Sequence, residues 1–101
     1  MSNLMNTAGN EVIRREILEL CSQTGGCGAG IPVMKAALRK FNHDVTEQEL
    51  MMHISYLEGK GLVKKEMVES RSLCIKRCIV FLTPEGVDYL EGNGPEIVGV
   101  D

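Results

Sequence analysis

Three stretches of the chain repeat apolar residues at helical spacing. In the first, Ile13, Ile17, Leu20 and Cys21 recur every three or four positions with Arg14, Arg15, Glu16 and Glu19 between them, which predicts an amphipathic helix over residues 10–22. In the second, Pro32 opens a helix running to residue 41. Proline suits a first turn because its fixed φ is already helical and its missing N–H is not needed there. Val33, Met34, Ala37, Leu38 and Phe41 are expected to face inward, and Lys35, Arg39 and Lys40 outward. The turn Asn42-His43-Asp44-Val45 leads to the third stretch, which opens on Thr46-Glu47-Gln48-Glu49. This is a capping box, in which the threonine side chain accepts from a free first-turn amide and the glutamate returns the bond. Leu50, Ile54 and Leu57 form its apolar stripe, and Gly59-Lys60-Gly61 stops it.

The period then shortens to two. Residues 62–69 and 73–82 read as the strands of a hairpin with the polar tip Ser70-Arg71-Ser72. In the second strand Cys74, Lys76, Cys78, Val80 and Leu82 share one face, and Leu73, Ile75, Arg77, Ile79 and Phe81 the other. Thr83 before Pro84 marks an N-cap followed by proline in the first turn, predicting a short helix over residues 84–91 that packs Val87 and Leu90. Residues 1–9 are small and polar and read as a flexible tail, residues 10–91 as the domain, and residues 92–101 as a C-terminal tail. Between the first two helices, Gln23-Thr24-Gly25-Gly26-Cys27-Gly28-Ala29-Gly30 has four glycines in eight residues, too many for a helix, and reads as a flexible connection.

A three-helix core with a C-terminal β-hairpin and a short final helix is an α+β arrangement in the order of a winged helix-turn-helix. The expected core joins Leu50, Ile54 and Leu57 to Val12 or Ile13, Ile17, Leu38 and Leu82. Within residues 46–63, Leu50, Ile54, Tyr56-Leu57-Glu58 and Gly61-Leu62-Val63 are similar to the third helix and first wing strand of bacterial winged-helix regulators. Together with Leu82-Thr83-Pro84-Glu85-Gly86-Val87-Asp88 and Pro95-Glu96-Ile97-Val98-Gly99-Val100, the chain resembles a small ArsR-like winged-helix family carried by Mu-like phages and prophages. The resemblance runs over residues 10–100 and implies a transcription-regulator-like domain, for which the expected function is that of a phage or prophage-type winged-helix DNA-binding transcriptional regulator. Members often place an arginine among the first residues of the third helix, where this chain has Glu47, Gln48 and Glu49.

Composition narrows the choice of interface. The chain has 101 residues, 44% apolar and 25% charged, enough for one domain. Its net charge of −3 supplies no overall attraction to nucleic acid, so DNA contact has to come from local clustering. No apolar run approaches the roughly 20 residues of a membrane span. The first residues lack the basic start and apolar stretch of a secretion signal, so the expected location is cytoplasmic, without membrane contact.

Opposite the buried stripe of the third helix lie Gln48, Met52, Ser55 and Gly59, with Glu49 and Tyr56 at the edge. In a major groove Gln48 suits an adenine edge, Ser55 a phosphate or a base, and Met52 a thymine methyl. The cations lie on the wing: Lys60, Lys64 and Lys65 at its start, Arg71 at its tip, and Lys76 and Arg77 on the returning strand. These are the candidate phosphate contacts to double-stranded DNA. Two alternatives use the same residues. Lysines on an edge strand also discourage aggregation, and Met51, Met52, Ser55 and Tyr56 offer an adaptable surface for a protein partner. A homodimer suits two related half-sites, with Ile17, Leu18 and residues 87–90 as contacts.

The remaining chemistry is sparse. Cys21 and Cys27 are separated by five residues, and Cys74 and Cys78 lie four apart on a predicted strand. Strand rise puts the latter pair about 13 Å apart, too far to share one zinc. Cys21 and Cys78 read as buried reduced thiols, and Cys27 as exposed. No phosphate loop or nucleophile elbow is present, and His43 and His53 read as polar surface residues. The expectation is a non-enzyme without metal or other cofactor.

Overall fold

The computed structural model describes residues 3–92 and residue 100, with side chains from residue 9 onward. Helix α1 is Asn3–Gln23, strand β1 Ala29–Gly30, and helix α2 Ile31–Lys40. Helix α3, Glu47–Gly59, leads into strands β2, Val63–Ser70, and β3, Ile75–Leu82, and helix α4, Pro84–Leu90, follows. The sheet is antiparallel in the order β1-β3-β2. Three helices with a β-hairpin wing form a winged helix-turn-helix.

Helix α1 starts at Asn3 instead of residue 10. No proline interrupts residues 3–9, and extending a formed helix gains one hydrogen bond for each residue fixed. Gly9 lies within the helix, where it costs about 1 kcal/mol relative to alanine.

The fully buried side chains are Ile17, Leu18, Met34, Leu38, Leu50, Ile54, Leu57, Leu62 and Val80. Ile13 and Leu82 pack against this core only partly buried, and Val12 is 37% exposed. In α2 the inward stripe is Ile31, Met34 and Leu38. That phase turns Val33 outward, to 66% exposure, and Phe41 follows the helix as its C-cap with 53% exposed. Ile17 and Leu18 have no exposed surface, which removes them as dimer contacts.

The capping box at α3 is formed. Thr46 Oγ1 accepts from Glu49 N at 3.1 Å, and Glu49 Oε1 accepts from Thr46 N at 3.0 Å. At the other end Gly61, with φ of +77°, lets its N–H reach Glu58 O at 3.0 Å while Leu62 N donates to Leu57 O at 3.0 Å. These bonds satisfy terminal carbonyls and send the chain directly into β2.

The glycine segment forms structure that its composition does not suggest. Ala29 and Gly30 pair with Val80 and Ile79 as a third strand. Thr24 Oγ1 organises the approach, donating to Cys21 O at 2.7 Å and accepting from Gly28 N at 3.1 Å. Gly28 has φ of +78°, and a Cβ there would strike the side chains of Ile79 and Phe81. Glycine is required at this position by both space and backbone.

The wing tip is the four-residue segment Arg71-Ser72-Leu73-Cys74, since Ser70 pairs with Ile75. Cys74, with φ of +51°, belongs to this turn and not to the strand on which the sequence places it. At α4, Thr83 Oγ1 accepts from Gly86 N at 3.1 Å, as an N-cap does. Gly86 is the buried residue of this helix, whereas Val87 is 40% exposed and does not pack inward as expected. Leu90 packs partly buried against the core. Val100 is buried, and its carbonyl accepts from Tyr89 Oη at 3.0 Å. The C-terminal motif over residues 95–99 lies outside the described residues.

Candidate nucleic-acid interface

Helix α3 presents Gln48, Met52 and Ser55 to solvent, with Met52 65% exposed. The stripe of Leu50, Ile54 and Leu57 anchors the opposite side in the core. The first turn carries Glu47 and Glu49, and no basic residue lies in the last turn. Hydrogen bonds from the Thr46 backbone and then its side chain hold the Glu49 carboxyl below its ordinary pKa. The start of α3 is therefore anionic at neutral pH.

His53 lies on the same helix but is only 8% exposed, not at the surface as its sequence position suggests. Arg14 of α1 reaches across to it, and the same guanidinium carbon lies 3.8 Å from the centroid of the Tyr56 ring. The Lys60 ammonium is 5.4 Å from that centroid, so Tyr56 attracts both cations through its ring face. Burial first, and the Arg14 charge second, push the His53 pKa down against the opposing pull of Glu49.

The wing cations do not form one patch. Alternation along the paired strands places Lys65, Met67 and Glu69 of β2 with Lys76, Cys78 and Val80 of β3 on the face toward α3. Lys64 and Arg77 belong to the opposite face. Lys64 Nζ lies 3.6 Å from Glu66 Oε1 and 5.5 Å from the Phe81 ring centroid. Lys65 Nζ lies 3.4 Å from Glu58 Oε1 and donates to Ser55 Oγ at 3.5 Å. Arg71, Lys76 and Arg77 are exposed and form no ion pair among the described residues.

Between the wing and the starts of α2 and α3 runs an open groove of about 810 Å³, whose lining includes Pro32, Val33, Glu47, Met51, Met67 and Lys76. It joins apolar side chains to a rim bearing both signs of charge. Sequence spacing gives no sign of the Arg14–His53–Tyr56 cluster or of Glu58 beside Lys65, because each depends on how α1, α3 and β2 meet.

Cys21 is buried with its Sγ 3.8 Å from Val80 O, and burial pushes its thiol up to about 12. Cys27 and Cys74 are exposed, and Cys78 is partly buried. Among the described residues, no group of three or more His, Cys, Asp or Glu side chains is placed to hold a metal ion. No described helix is long and apolar enough to cross a membrane.

No family model matches the chain, and no curated protein matches it. Among solved structures, it is similar to the X-ray structure of a PadR-like transcription factor from Bacteroides fragilis. The TM-score is 0.74 at 21% sequence identity, covering 90% of this chain and 84% of that one. What the two share at that identity is the fold, so the arrangement of helices, sheet and wing places this chain among winged-helix domains.

Proposed function

We propose that the protein is a winged-helix DNA-binding transcriptional regulator. The observation that carries this reading is the exposed face of Gln48, Met52 and Ser55 beside a wing face bearing Lys65 and Lys76, with Arg71 at the tip. A helix in the major groove would use the first set on base edges, while a wing along the backbone would use the second on phosphates. The fold shared with the PadR-like transcription factor supports the reading. The finer assignment, a regulator carried by Mu-like phages and prophages, rests on the sequence motifs around Leu57, Gly61 and Thr83.

Such a regulator works without catalysis or a cofactor and acts in the cytoplasm. Pairing of two copies on related half-sites would need surfaces other than Ile17 and Leu18. Exposed Val87 is one such surface.

One observation favours a second reading, a protein-interaction module on the same scaffold. Val33 and Met67 beside the groove, and Met52 on α3, are each about two-thirds exposed, and methionine adapts readily to partners.

A salt titration of binding to mixed-sequence duplex DNA separates the two readings. The regulator retards duplex at low salt, with log affinity falling linearly against log salt. Absence of retardation at low salt, where the electrostatic contribution is greatest, overturns the regulator reading and leaves the α3 face to a protein partner.

A further inference from the structure

The reading of α3 and the wing as a DNA-binding surface leaves open why a lysine at their junction is turned onto its own chain. Lys65 Nζ is 3.4 Å from Glu58 Oε1 and 3.5 Å from Ser55 Oγ. Its side chain is 28% exposed, against 60% for Lys64, the preceding residue, on the opposite face of the strand. Ser55 and Glu58 are three apart on α3 and so lie on one side of the helix, where one ammonium can reach both. The short turn through Lys60, Gly61 and Leu62 brings β2 back beside the last turn of α3, and Lys65 crosses the gap.

We infer that Glu58 acts as an internal substitute for a DNA phosphate, holding Lys65 across the exposed face of α3 until a duplex displaces it. This rests on the DNA-binding reading above. A carboxylate and a phosphate both offer anionic oxygens to the same ammonium, so the two compete for it. While Glu58 holds Lys65, that lysine contributes little to counterion release, because its charge is already compensated. Ser55 accepts from the same ammonium, which occupies one lone pair of its oxygen and leaves its hydroxyl proton free to donate to a base or phosphate. Lys76 shares the α3-facing side of the sheet and has no ion-pair partner among the described residues, so it is available to phosphate from the outset. The pair thus weakens binding to any duplex and reserves the full set of contacts for a site that orders the wing along its backbone.

The test is a double-mutant cycle of Glu58→Gln and Lys65→Met, read as salt-titrated affinity for a mixed-sequence 20-base-pair duplex. Glu58→Gln alone should tighten binding about tenfold near 50 mM salt and steepen the salt slope by about 0.9, the increment for one added phosphate contact. In the Lys65→Met background the same replacement should change affinity less than about twofold and leave the slope unaltered. An unchanged affinity for Glu58→Gln in a protein that binds duplex would overturn the inference and leave the DNA-binding reading intact. So would an equal gain with and without Lys65, which would make Glu58 a general repulsive charge. If neither wild type nor Glu58→Gln retards duplex at low salt, both the reading and the inference fall. Both replacements are at partly exposed polar side chains, and unchanged melting curves would show that the comparison concerns binding alone.

Discussion

Arg14 Nε donates to His53 Nδ1 at 3.2 Å, joining α1 to α3 through an imidazole that can accept this bond only while Nδ1 is unprotonated. Its proton is therefore placed on Nε2. Burial and the Arg14 charge both disfavour imidazolium, lowering the folded-state pKa from an ordinary value of 6.5. The unfolded chain then binds more protons than the folded one between the two values, so stability rises with pH there. The contribution is fully present above about 6.5 and is lost as pH falls from there through the lowered folded value. Unfolding in urea at a series of pH values should show this decline, and His53→Gln should flatten it. Glu49 does not share the window, because its pKa is lowered from 4.5 and its own loss comes in stronger acid. A decline of equal size in His53→Gln would remove His53 as its source.

The exposure pattern of α2 and α3 separates core from surface. Leu57→Ala, at a side chain with no exposed area, should cost about 2 to 5 kcal/mol. Val33→Ala, on a helix face that spacing alone turns inward, should stay within about 0.5 kcal/mol. Denaturant midpoints compare the two directly, and a large loss at Val33 would contradict the observed phase of α2.

Gly86 offers a test of sign. Replacing glycine by alanine inside a helix ordinarily stabilises by about 1 kcal/mol. Here the added methyl would meet the Leu62 carbonyl and the Leu82 side chain, and the carbonyl belongs to backbone that cannot rotate away. Gly86→Ala should therefore destabilise, by about 1 to 3 kcal/mol, as overpacking does elsewhere. A raised melting temperature would show that α4 can shift off Leu62 at little cost.

The two adjacent cations of β3 should behave differently toward DNA. Lys76→Ala, on the sheet face toward α3, should weaken binding to all sequences and reduce the salt slope by about 0.9. Arg77→Ala, on the other face, should change the slope much less. Equal losses from both would mean that the wing meets DNA edge-on, with neither face preferred.

Legibility in the sequence followed the range of the interactions. The capping box at Thr46, the glycine stop at Gly61 and the Thr83-Pro84 start are local devices, formed by residues within one turn of each other. Residue types alone specify them. Strand β1 has two residues and therefore no period to detect, and Gly28 signals flexibility until Ile79 and Phe81 are known to lie against it. Spacing turns Val33 and Phe41 of α2 inward, which the structure contradicts, because the apolar residues of this segment cover too broad an arc to fix its phase. Ile31, just before the proline, fixes it by entering the core. The candidate site divides in the same way. Exposure of Gln48, Met52 and Ser55 followed from the stripe behind them, whereas the burial of His53 and the capture of Lys65 depend on partners 39 and 10 residues away.

The hydroxyl of Thr83 donates to Gly61 O at 2.6 Å while accepting from Gly86 N, and Thr83 N donates to Leu62 O at 3.0 Å. One residue thus clasps the place where the wing leaves α3 to the place where it returns to α4. Closed at the base in this way, the hairpin cannot swing as a rigid arm about its root. Its freedom lies in bending and twisting that accumulate along the strands toward Ser72, so the tip can adjust to a curved surface while the angle at which the wing meets α3 stays fixed by the fold.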